Sequence, residues 1–289
     1  MWRLLRITPA IAALLFTAGA AQGLVLDWSA VTWNPQSIAP NVLQNHYDVD
    51  GTPGTDLTVR LAYSTQAAGS PYRAGLPAID ASLEGGRGAG ARALHLGVDF
   101  TAQSHFITIT VDFSNYAQGV EGVSFSLFDI DRADGSALYI DQIRSISAIG
   151  LDGLPIAAPP TFSGLGSRVS ESGSILTGTG PANDTGLGSD AGNATISFNG
   201  PIRSFTFVWG VPNSNANNPI PMDISIGNIN FTPVPEINPA WTAALSTFLA
   251  VGVMLRHRSS VLKKTARRAD VDSTELRDAA ESKPRHDVC

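Results

Sequence analysis

The sequence predicts an all-β fold, a β-sandwich or jelly roll, for the region between Leu24 and Phe231. Three observations predict it. No long amphipathic helical pattern occurs in that span. Phe106-Ile107-Thr108-Ile109-Thr110-Val111-Asp112-Phe113 alternates apolar and polar residues with period 2, the signature of a strand with one buried face. Short apolar runs recur throughout, separated by Gly, Pro, Asn and Asp, which supply turns.

The strands follow in order. Residues 24–28 and 30–33 open the domain, and Asp56 to Tyr63 follows with β-branched and aromatic residues. Residues 93–100 alternate through Leu94, Leu96 and Val98, and 106–113 come next. Further strands are expected over 122–131, 137–149, 194–198, 202–209 and 222–231. Residues 163–193, dominated by Gly, Ser, Thr, Asn and Asp, read as a long mobile loop or a decorated insertion. No internal repeat of 20 to 50 residues stands out.

The ends carry targeting information. Residues 1–22 have a basic start (Arg3, Arg6), an apolar stretch, and a small-x-small pattern at Ala18-Gly19-Ala20, which together read as a secretory signal. A second apolar run, Ala240 to Leu255, is 16 residues long. As a helix it would rise roughly 24 Å, somewhat short of a hydrocarbon core of about 30 Å. Trp241 at one interface and Arg256 and Arg258 at the other extend its reach, so one C-terminal transmembrane helix is expected. The basic flanks place residues 21–239 outside the membrane.

Charge divides along the same line. Residues 21–239 hold 8 Arg, no Lys and 19 acidic residues, a net −11, whereas the tail from residue 256 is net +3. An acidic domain without lysine argues against nucleic acid, whose phosphates require Lys and Arg. It suits divalent cations. The sole cysteine is Cys289, so the exported region has no disulfide. The tail, 259–289, is charged and reads as disordered.

Val234-Pro235-Glu236-Ile237, followed by Asn238-Pro239-Ala240, the apolar run and Arg256-His257-Arg258, resembles the bacterial PEP-CTERM sorting signal, with Ile where the family has its second Pro. About 30 residues follow the basic cluster, where the family's chains usually end soon after it. Asp27-Trp28-Ser29, Phe125-Ser126-Leu127-Phe128-Asp129-Ile130-Asp131 and Ile226-Gly227-Asn228-Ile229-Asn230-Phe231-Thr232-Pro233 are similar to segments common in exported members of that group. The resemblance implies recognition by an exosortase, a membrane-embedded transpeptidase-like enzyme. It also implies sorting to the cell surface or into extracellular polysaccharide. Val234, Pro235, Glu236, Asn238 and Pro239 would then be recognition residues, and the prolines would keep this stretch extended.

For chemistry, the best candidate is Asp129, Asp131, Asp134 and Asp141. Asp129 and Asp131 would share a strand face, Asp134-Gly135 would turn the chain, and an antiparallel return would bring Asp141 close. Such carboxylates repel unless a hard cation, Ca²⁺ above all, neutralises them. The alternative is a solvated turn paired by Arg132 or Arg144. His46-Tyr47-Asp48-Val49-Asp50-Gly51 is a second acidic patch, read as a turn. The five histidines lack zinc spacing, and no nucleophile elbow or phosphate loop occurs. No carboxylate pair is singled out for glycoside hydrolysis. Trp28, Trp33 and Trp209, with Tyr72, Tyr116 and Tyr139, are core or sugar-stacking residues.

The expectation is a non-enzymatic exported protein, tethered by its C-terminal helix and displayed at the cell surface or in the matrix, with a structural or adhesive role. The competing readings are a calcium-stabilised carbohydrate-binding module and a glycan-active hydrolase.

Overall fold

The computed structural model describes residues 22–65, 71–88, 90–133, 139–181, 189–212 and 221–235, together with Met254. The chain divides into two units, one ending at Pro235 and one beginning at Glu236. The expected signal segment up to residue 21, Asp134, Glu236, Asn238, Pro239, Trp241, Arg256, Arg258 and the expected membrane helix lie outside the described residues.

The first unit is all-β, as its alternating text requires. The strands are β1 (Leu24–Leu26), β2 (Gln36–Ala39), β3 (Val42–Tyr47), β4 (Leu57–Tyr63) and β5 (Ala78–Asp80). Next come β6 (Ala93–Val98), β7 (Phe106–Asp112), β8 (Val120–Phe128), β9 (Gln142–Ile149) and β10 (Thr161–Ser163). The last are β11 (Val169–Ser172), β12 (Ile175–Gly178), β13 (Ala194–Ser197), β14 (Ser204–Gly210) and β15 (Met222–Pro233).

They form two antiparallel sheets. The seven-stranded sheet runs β10-β13-β8-β15-β6-β5, with β1 also on β15. The eight-stranded sheet runs β11-β12-β9-β14-β7-β4-β3-β2. Period 2 decides which side chains meet between them. Ile107, Ile109 and Val111 of β7 are buried, while Thr108 and Thr110 face outward. Phe125 of β8 stacks on Phe205 of β14 at 4.6 Å and 9°, joining one sheet to the other. Phe113 meets Phe231 at 5.0 Å, and Phe100 packs edge-on against Trp209 at 5.5 Å. One apolar cluster thus spans both sheets, a sandwich-like arrangement. Each aromatic pair adds about 0.5–1.5 kcal/mol beyond its burial.

β15 organises the seven-stranded sheet. Its first half pairs with β6 through Met222–Ile226, and Ile229, Asn230 and Phe231 pair with β1 on the same edge. Between these stretches the Gly227 carbonyl accepts the buried Trp28 indole N–H at 2.8 Å, and the Asn228 side chain accepts the Trp28 backbone N–H at 3.2 Å. On its other edge, the register with β8 shifts between Ile226 and Ile229. This bulge moves the inward set from Ile224 and Ile226 to Ile229 and Phe231.

Three expectations change. Residues 30–33 are not a strand. Asp27 turns the chain first, its carboxylate accepting Ser29 N–H at 2.9 Å and its carbonyl accepting Ala30 N–H at 3.0 Å. The Gly- and Ser-rich stretch 163–193 is not one loop, because β11 and β12 form an antiparallel hairpin in it that pairs with β9. The expected strand 122–131 ends at Phe128, since Asp129 takes a positive φ of 65°. β2, β3, β5 and β10 are also additional to the expected set.

Trp28→Phe should lower unfolding free energy by about 1–3 kcal/mol in urea denaturation, because it leaves the Gly227 carbonyl without its indole partner in the interior. An unchanged midpoint would mean that this bond does not hold β1 to β15.

Candidate functional site

The structure brings together two of the four predicted aspartates. After β8 the chain returns, and an antiparallel bridge joins Arg132 and Ile140. Asp141 N–H donates to the Asp131 carbonyl at 2.9 Å, and Asp131 N–H donates to Asp141 Oδ2 at 3.1 Å. Asp141 Oδ1 accepts the Trp209 indole N–H at 2.8 Å. Both Asp141 oxygens therefore serve N–H groups of the fold, and the residue is fully buried. Burial, then the charge of Asp131, pushes its carboxyl well above the usual carboxylate range. Tyr139 is also pushed up, first by burial and then by Asp131. β12 can pass this close only at a glycine, since a Cβ on Gly178 would lie 1.9 Å from the Asp131 carbonyl oxygen. Asp129 is half-buried and outside the strand. Asp131 is itself only 4% exposed, so this carboxylate pair is closed to a sugar substrate.

The tightest carboxylate set among the described residues is instead Asp48, Asp50 and Asp56, with one oxygen from each within 4.8 Å. Asp129, Asp131 and Asp141 form no such set. The loop after β3 explains the grouping. Buried Asp56 accepts Val49 N–H at 2.6 Å and Asp50 N–H at 2.9 Å, while Asp48 accepts Gly51 N–H at 3.0 Å. Asp50 accepts both the N–H and the hydroxyl of Thr52, which hold its carboxyl below the ordinary range. Each carboxylate thus closes a turn.

A third cluster was invisible in the sequence. On the outer face of β6, His95 Nδ1 lies 2.9 Å from Asp80 and Nε2 lies 2.9 Å from Asp223. Arg73 pairs with the second oxygen of Asp223. Two ionised acceptors on two ring nitrogens require both nitrogens to be protonated, so the ring is an imidazolium. Burial lowers the His95 pKa, but the hydrogen bonds from Asp223 and Asp80, and their charges, outweigh it and the net shift is upward. Gly97 makes the room, since a Cβ there would meet Leu76 at 2.3 Å and Asp223 at 2.5 Å. The network ties β5 and the segment around Arg73 to β6 and β15. The only local hint was a histidine alternating with Leu94 and Leu96, which places it on the opposite face from the core.

The indoles differ. Trp28 and Trp209 are fully buried with their N–H groups satisfied, so neither offers a stacking surface. Trp33 is half-buried. Tyr72 is buried, while Tyr116 and Tyr139 are half-buried. Of the predicted sorting residues, Val234 N–H donates to the Gly119 carbonyl at 3.0 Å and Pro235 is exposed.

No protein-family model matches the chain, and no curated protein matches it.

The His95 network gives a pH signature. His95, with its pKa raised from 6.5, contributes stability that is complete below about pH 6.5 and lost as pH rises through its folded value. Asp80, with its pKa lowered from 3.8, contributes above about pH 3.8 and loses it as pH falls. The stability gap between wild type and His95→Gln should therefore be widest at about pH 5–6 and narrow towards about pH 9. A gap that stays constant over that range in urea titrations contradicts the imidazolium assignment.

Proposed function

We propose that this chain is an exported bacterial surface or extracellular-matrix protein with a structural or adhesive, non-enzymatic role. A C-terminal membrane helix tethers it first, and its Val234-Pro235-Glu236 segment is the recognition site of an exosortase-type enzyme. The sandwich is the displayed part. The membrane and the sorting enzyme are its first partners, and extracellular polysaccharide is its destination.

One observation carries this reading. β15 ends at Pro233, Val234 makes a last backbone bond to Gly119, and Pro235 is exposed. Among the described residues, the hydrogen bonding of the first unit extends to Val234, the first residue of the proposed sorting motif. A cut just beyond Pro235 severs no strand of the first unit, and proline at 233, 235 and 239 keeps the approach extended for an enzyme to grip. The acidic domain and basic tail support the same orientation across a membrane.

The mass of the mature C-terminus in the native cells tests it. The expected chain ends between residues 234 and 239. Changing Pro235 and Glu236 to alanine should leave the protein in the membrane with Cys289 retained. A wild-type chain that retains Cys289, or a double variant released from the membrane, would overturn the sorting role.

A further inference from the structure

The turn that follows β9 carries an exposed apolar tip. Residues 150–160 contain one charged residue, Asp152. Backbone bonds hold the turn closed. Gly150 N–H donates to the Leu154 carbonyl at 2.8 Å, and Ile156 N–H donates to the Ala148 carbonyl at 3.0 Å. Asp152 accepts Leu154 N–H at 2.9 Å, so its carboxylate serves the turn itself.

The fold leaves the apolar side chains outside. Leu154 is 62% exposed and Leu151 is 37% exposed. Polar turn residues would close the same loop, so closure does not demand leucine. Among the described residues of the first unit, the other exposed large apolar side chains are Val25, Ile38 and Leu165, on three separate elements. Only here do two share one turn, and Ala157, Ala158 and Pro159 extend the exposed apolar stretch.

This turn lies where the chain leaves the first unit. Leu151 packs on Gly119, where a Cβ would fall 2.6 Å from its Cδ2. The carbonyl of the same Gly119 accepts Val234 N–H at 3.0 Å. Only residues 236–239 separate Pro235 from the apolar run that begins at Ala240. Five extended residue steps span about 17 Å. With that run in a bilayer, Leu151 and Leu154 stay within reach of lipid.

We propose that Leu151 and Leu154 form a lipid-contact loop, which enters the interfacial layer of the bilayer while the chain is tethered. The inference rests on the membrane tether of the proposed function. Two leucines alone give weak, reversible binding. A short tether makes the encounter intramolecular and raises its effective concentration. The contact is apolar, as suits a region of net charge −11. The loop of Asp48, Asp50 and Asp56 is at the same end, because Thr58, Asp112, Ser204 and Ile149 form one row across the sheet. A zwitterionic lipid surface is therefore the partner that fits. The contact keeps Pro235 beside the bilayer, where a membrane-embedded sorting enzyme works.

Site-specific fluorescence of the full chain in phosphatidylcholine vesicles tests it. Cys289→Ser removes the native thiol, and Leu154→Cys then carries an environment-sensitive label. Leu165→Cys is the control, at the opposite end, where Gly166 N–H bonds the Asn193 carbonyl beside the end of β8. The label at 154 should sit about 5–10 Å into the interface, shift to the blue and lose its emission to shallow nitroxide-bearing lipid. The label at 165 should keep its emission. Absence of quenching at 154, or equal quenching at both positions, overturns the inference. A blue shift at 154 without quenching also overturns it, because a second copy of the chain rather than lipid then covers the leucines. Flotation of the vesicles reads the tether separately. A chain that floats with the label at 154 unquenched removes the loop contact and leaves the tether, whereas a chain that does not float removes both.

Discussion

One strand carries the constraint on which the rest of the domain depends. β15 must hold β8 along one edge and, along the other, both β6 and β1 end to end. A regular strand cannot serve all three, because the core-facing phase demanded by Ile224 and Ile226 differs from that demanded by Ile229 and Phe231. The bulge between Ile226 and Ile229 resolves the conflict, and it leaves the Gly227 carbonyl for the Trp28 indole. The two ends of the domain are thereby joined across 199 positions of sequence. Such long-range pairing is entropically demanding.

The same strand sets the electrostatics. An acidic domain with few arginines has to place each one with care. Arg73 is committed to Asp223 on β15, and Arg87 lies 4.7 Å over the Phe128 ring and donates to the carbonyls of Glu84 and Arg92. Arg144 donates to the Val211 carbonyl. At the buried Asp141, two N–H donors satisfy the two carboxyl oxygens. His95 supplies the remaining positive charge between Asp80 and Asp223.

Much of the fold was legible because burial is written with period 2. β4 and β7 match their alternation residue by residue, with Val59, Leu61 and Tyr63 opposite Val111, Ile109 and Ile107 in the core. β2 was not legible, because all four of its residues are exposed and its pairing to β3 depends on backbone bonds alone. The β11–β12 hairpin was hidden by its Ser and Gly content, and only Leu176 in it is a fully buried apolar side chain. Of the chemistry, the approach of Asp141 to Asp131 followed from an antiparallel return. Asp129 escaped because its positive φ breaks the strand that was to align it. The His95 network escaped because Asp223 lies 128 positions away, a distance that only the sheet register bridges.

These features converge on Pro235, where the first unit ends and the proposed sorting segment continues. If β15 is what completes the fold, then the residues after Asn228 are structural up to Pro235. Urea unfolding of chains spanning residues 22–235 and 22–228 compares the two directly. The account predicts one cooperative transition for the longer chain. For the shorter, which lacks Ile229 and Phe231 and so cannot hold β1, it predicts loss of that transition. Equal midpoints for both chains would contradict it.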